Sequence, residues 1–159
     1  MGKKLPEICL SFGIGKFYPG LTGLKPSYRD AIMSLNLGKK IYGSGNITSY
    51  NDLGLYRFLS DPNLAPELES YVNDYIAPII KYDKENNSDL LKTLKTFFEC
   101  GRGIRKCAQT MYVHHNTIRY RLELIEKICN ININTPDNLL NLEVALKLLP
   151  LVNSIKNNP

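Results

Sequence analysis

The chain has 159 residues, 43% of them hydrophobic and 22% charged, the balance of a soluble globular protein with room for one ordinary domain or two small ones. No apolar run approaches the roughly 18 residues that a membrane span needs, and no signal peptide opens the chain. Pro6 stands where a myristoylation motif requires Ser or Thr, so the expected location is cytoplasmic, with no membrane partner.

The formal charge is +5, and its placement is more informative than its size. Residues 1–87 carry ten basic and nine acidic side chains, whereas residues 88–159 carry ten and six. Between Gly101 and Leu122 lie Arg102, Arg105, Lys106, Arg119 and Arg121, with no acid among them. A one-signed segment in a nearly neutral chain is the electrostatic footprint of a polyanion site, although a solvated basic face gives the same charge.

Ile8 to Gly15 is a short apolar run bounded by glycine, which predicts a buried strand. Ser27 stands three residues before Asp30 as in a capping box, so a helix is expected from Ser27, with Ala31, Ile32 and Leu35 as its stripe and Gly38 at its end. Ile47–Tyr50 reads as a second strand, and Asp52–Leu59 as a short helix ended by Ser60-Asp61-Pro62. An amphipathic helix starts near Ala65-Pro66, with Leu68, Tyr71, Val72, Tyr75, Ile76, Ile79 and Ile80 at helical spacing and a kink or end at Pro78. Residues 82–87 are polar without an apolar period, and the domain boundary is placed there. Two strands and a helix make a poor sheet on their own, so the first half reads as the tail end of an α/β domain whose earlier strands are absent.

The second half reads as all helix. Asn87 or Ser88 is expected to cap a helix that ends at Gly101, followed by a short helix over Ile104–Met111 and another from His114 or His115 to about Cys129. Thr135-Pro136 opens a final helix, Asp137–Leu149, stopped by Pro150. That helix is apolar nearly all round, which fits either a dimer contact or a buried core helix. The expected fold is therefore mainly α with a small α/β part, and a C-terminal helical bundle containing a helix-turn-helix.

The helix-turn-helix spans Gly103 to Ile128. Ala108 supplies the small residue where two helices cross, while Ile118, Leu122, Ile125 and Cys129 form the inward stripe of the second. With Ile118 inward, a rotation of about 100° per residue puts Asn116 and Tyr120 outward and Thr117 and Arg119 on the flanks. Arg121 falls nearer the core edge, suited to a phosphate rather than a base. Tyr112 sits where glycine is common, so the turn is expected to take a less strained route. His114 suits a cap, and Arg105 and Lys106 add charge on the preceding helix. Asn and Arg are the residue types that read adenine and guanine bidentately, and helix N-termini attract phosphate. An ordinary amphipathic hairpin shares the periodicity but would not need an acid-free face.

Cys100, Cys107, His114 and His115 have a spacing that fits no usual zinc pattern, so neither metal nor cofactor is expected and the thiols read as structural.

Leu91-Lys92-Thr93-Leu94 with Phe97-Phe98, then Ala108-Gln109-Thr110-Met111-Tyr112-Val113-His114-His115-Asn116-Thr117-Ile118-Arg119-Tyr120-Arg121-Leu122, resembles the C-terminal helix-turn-helix of the PucR/CdaR family. These are bacterial regulators of purine catabolism and of sugar-diacid use. Thr135-Pro136-Asp137 with Leu142-Glu143-Val144-Ala145-Leu146 is similar to the family's closing helix. Upstream, residues 11–15, 27–31 and 50–57 resemble the second half of the family's GGDEF-like middle domain.

The resemblance implies a partial GGDEF-like α/β domain with its connecting helix over 1–86, and a PucR-type DNA-binding domain over 87–159. It implies a sequence-specific transcriptional regulator, not an enzyme, that binds double-stranded DNA as a homodimer. Its small-molecule effector would be sensed by a domain outside this chain. A further similarity to Fis-type proteins points to His114, His115, Asn116, Thr117 and Arg119 as contacts. The rivals are a protein-interaction module that uses the same fold without DNA, and a nucleotide-processing enzyme. The latter needs clustered carboxylates, and residues 1–60 offer only Glu7, Asp30 and Asp52.

Overall fold

A computed structural model describes residues 9–59 and 61–156. Ile8 of the first apolar run, Glu7 and Ser60 lie outside the described residues. The fold is mainly α with a small α/β part, as the hydrophobic periods predict. Two compact units emerge, one built mainly of residues up to Ala65 and one of Pro66–Val152.

In the first unit, strand β1 (Phe12–Ile14), helix α1 (Leu24–Tyr42) and strand β2 (Ile47–Ser49) form a βαβ unit with parallel strands. Gly13 pairs with Thr48 in register. The apolar run is not a buried strand, however. Phe12, Ile14 and Ile47 are exposed, and it is the glycines that meet the helix. A Cβ on Gly13 would collide with the Ala31 carbonyl, so β1 and α1 meet backbone to backbone, and one on Gly38 would collide with the Thr48 side chain, which lies against the helix backbone there.

That approach corrects two expectations for α1. Gly38 does not end the helix but lies inside it, where only a hydrogen fits; the end comes at Gly43, whose φ is 83°. Ser27 is not a cap either, since the helix starts three residues earlier behind Gly23. Asp30 is instead 1% exposed and accepts a 2.9 Å hydrogen bond from the Tyr18 hydroxyl, while Ser34 donates to the Asp30 carbonyl at 2.7 Å. Ile32 of the expected stripe is exposed, and Asp30, Ser34, Leu37 and Gly38 are the buried positions. Tyr50–Arg57 is a 3-10 segment broken at Gly54 (φ 51°, ψ −123°) rather than an α-helix.

The second unit holds nearly all of α2 (Ala65–Asn86), then α3 (Leu90–Glu99), α4 (Ile104–Met111), α5 (His115–Cys129) and α6 (Pro136–Lys156) as far as Val152. Pro78 and Pro150 lie inside α2 and α6 and stop neither. An internal proline costs about 3 kcal/mol, but each is bracketed by buried apolar residues, Ile76 and Ile79 in one case and Leu148 and Leu151 in the other. Burial on both sides of the break holds the two halves in line.

The polar stretch 82–87 is helical up to Asn86, and Asn87 turns the chain with a φ of 49°. The reason lies in Asp83. Its carboxylate accepts from the Ser88 hydroxyl and from the backbone N–H groups of Leu90 (2.8 Å) and Leu91 (2.9 Å). The cap of α3 thus comes from the preceding helix and not from Asn87 or Ser88 themselves. Asp83→Ala is expected to lower stability by about 1–2 kcal/mol, read as an earlier midpoint in urea unfolding.

Buried residues tie α2 to the helices that follow. Leu68, Val72, Ile76 and Ile79 are at most 9% exposed; the Tyr71 hydroxyl donates to Asn141 Oδ1 at 2.9 Å. Cys129 Sγ donates to the Tyr75 carbonyl at 3.5 Å. By packing, α2 therefore goes with the second unit, and residues 86/87 mark a break between two helices of that unit.

Candidate nucleic-acid interface

α4 and α5 have the limits that the sequence predicts. Ala108 is 4% exposed at their crossing and Ile118 is fully buried, which fixes the angle of α5. Leu122 and Ile125 continue the inward stripe, with Cys129 half-buried at its end.

The turn does not take the relaxed route. Tyr112 itself adopts the left-handed conformation (φ 55°, ψ 40°), where an L-residue with a Cβ costs about 1–2 kcal/mol. The conformation lets its N–H reach the Ala108 and Gln109 carbonyls, and lets Val113 N–H reach Ala108 O at 3.0 Å. The Tyr112 side chain is 95% exposed. Two residues on, His114 is extended and its Nδ1 accepts from Asn116 N–H at 3.3 Å, the capping role the sequence indicated.

From this frame His115, Asn116, Arg119 and Tyr120 are exposed on α5, with Thr117 half-buried between them; Arg105 and Lys106 are exposed on α4. Arg121 is different. It donates to Thr93 Oγ1 at 2.9 Å and lies 3.7 Å from Asp89 Oδ2, turned toward α3 and away from solvent. Helical rotation placed it near the core edge but could not reveal the hydroxyl and carboxylate waiting there. Arg102 likewise pairs with Glu143 at 2.8 Å. Among the described residues Arg105, Lys106 and Arg119 have no carboxylate partner, so the unneutralised charge of the segment is concentrated on them.

The electrostatics at the start of α5 carry the same sign. The His114 and His115 rings lie 4.1 Å apart between centroids. His115 is held below the ordinary imidazole range, first by desolvation and then by the charges of His114, Arg119 and Arg105. A histidine whose folded pKa is lowered contributes stability above its unfolded pKa, about 6.5, and loses it as pH falls through that range. Urea unfolding of the DNA-free protein is therefore expected to show a stability loss on acidification that is smaller in His115→Gln.

Two of the four cysteines, Cys107 and Cys129, are packed into the helical unit. Cys107 is buried and burial pushes its thiol up, while burial pushes Cys129 up to about 11. Among the described residues no three His, Cys, Asp or Glu side chains are grouped to hold a metal. Asp30 is committed to Tyr18, and Asp52 lies in the 3-10 segment. Also among the described residues, no helix is long and apolar enough to cross a membrane.

Against known families, residues 90–148 match the PucR C-terminal helix-turn-helix domain. Residues 90–148 are a PucR-type helix-turn-helix domain. The PucR-type match begins at the first residue of α3 and closes inside α6, so it takes in α4 and α5 and the helices that flank them. Over 91% of its length the chain is 23% identical to the DNA-binding transcriptional activator AdeR of Bacillus subtilis, covering 34% of that protein. It is 29% identical over 77% of its length to the proline-responsive transcriptional activator PutR of the same organism, covering 30%. It is 26% identical over 92% of its length to the carbohydrate diacid regulator of Escherichia coli, covering 37%. The chain thus spans about a third of the length of these PucR/CdaR-type relatives.

Proposed function

We propose that the chain is the DNA-binding part of a transcriptional regulator and that α5 enters the major groove of double-stranded DNA. One observation carries this reading: Arg105 and Arg119 lie close enough to act on His115 beside His114, all four exposed around the start of α5 in a segment, 101–122, that holds no acid. Arg105, Lys106, His114, His115, Thr117 and the α5 N-terminus set the register on phosphates, and Asn116, Arg119 and Tyr120 face base edges. Arg121 is left out of the contact set because α3 occupies it.

The similarity to AdeR and PutR, both transcriptional activators, supports the same role here, one of binding and not of catalysis. The regulator acts as a homodimer on two half-sites about one DNA turn apart, in the cytoplasm, and its effector is sensed outside this chain. Residues 9–59 are part of a GGDEF-like α/β domain, and α2 is the helix that connects it to the DNA-binding helices.

Fluorescence titration of labelled duplex DNA at several salt concentrations tests the proposal. Log affinity is expected to fall linearly with log salt. Affinity that does not respond to salt would leave a protein-interaction module as the better reading.

A further inference from the structure

We propose that Tyr112, in the turn between α4 and α5, is a further DNA contact whose hydroxyl donates to a backbone phosphate at the edge of the groove. The proposal rests on the DNA-binding reading above. Three observations converge on this side chain. It occupies the left-handed region, where glycine would sit without strain, so backbone geometry alone does not call for tyrosine. It is 95% exposed, so no packing compensates for the strain. It also stands two residues before the His114 cap of α5, and two residues span at most about 7 Å.

A large side chain kept in a strained position, with nothing in its own fold to hold it, points outward for its reason. Tyrosine suits that place. Its flat ring loses little rotamer freedom on docking, and its hydroxyl is a donor that a phosphate oxygen accepts. A phosphate contact made by a neutral group has a distinctive signature. It acts on every sequence alike and releases no counterion, so it changes affinity without changing the salt slope.

The test uses the full chain with mixed-sequence duplex DNA and compares Tyr112→Phe, Tyr112→Gly and the double variant Asn116→Ala, Arg119→Ala. Tyr112→Phe leaves the backbone as it is and removes only the hydroxyl; it is expected to weaken binding about three- to tenfold with the salt slope unchanged. Tyr112→Gly is expected to weaken binding at least as much while raising the melting temperature of the free protein, because the strain is relieved. If both Tyr112 variants bind like the parent while the double variant weakens, Tyr112 is a structural turn residue only and the proposal is wrong. If the double variant also binds like the parent, the groove assignment falls and this contact falls with it.

Discussion

Replacing Asn116 and Arg119 together by Ala is expected to lower DNA affinity by about a hundredfold or more, since each bidentate base contact contributes about 1–3 kcal/mol. Both side chains are exposed, so the loss should come with an unchanged melting temperature. Only Arg119 carries charge, and the slope of log affinity against log salt should therefore drop by about one contact and not two. Asn116→Ala alone should relax sequence preference and leave the slope as it was. Titration of each variant against selected and mixed-sequence duplexes separates these effects. Unchanged affinity in the double variant would move the reading surface away from α5.

The second large effect concerns the residue that aims the helix. Ile118 is fully buried where α5 crosses α4, and Ile118→Ala is expected to cost about 2–5 kcal/mol, the cavity term included. Ile118→Val keeps most of the volume and should cost only about 0.5–1.5 kcal/mol. Denaturant unfolding measures both. A loss below 1 kcal/mol in the alanine variant would mean that α5 is not held by this side chain. Under conditions where the alanine variant remains folded, its affinity should still fall, because a helix free to tilt no longer presents Asn116 and Arg119 together.

The legible parts of this protein were those governed by local periodicity. The stripe Ile118, Leu122 and Ile125 gave the limits and inward face of α5, and with them the exposure of Asn116, Arg119 and Tyr120. His114 as a cap was legible for the same reason, since a cap and its helix lie within one turn. Some departures from that reading came from a distant partner and some from burial along the helix itself. Gly38 looks like a helix end, yet the approach of Thr48 makes it an internal contact. Pro78 and Pro150 look like stops, yet buried neighbours on both sides carry the helices through.

What the sequence determined by itself is the helix-turn-helix and the sign of its surface, because a 3.6-residue period and a run without acids are both written in consecutive residues. What only the tertiary structure decided is which charges remain available. Thr93 and Asp89 take Arg121, Glu143 takes Arg102, and Asp83 caps α3 from the helix before it. Most of these are contacts between residues far apart in the chain, and hydrogen bonds of that kind leave no periodic trace.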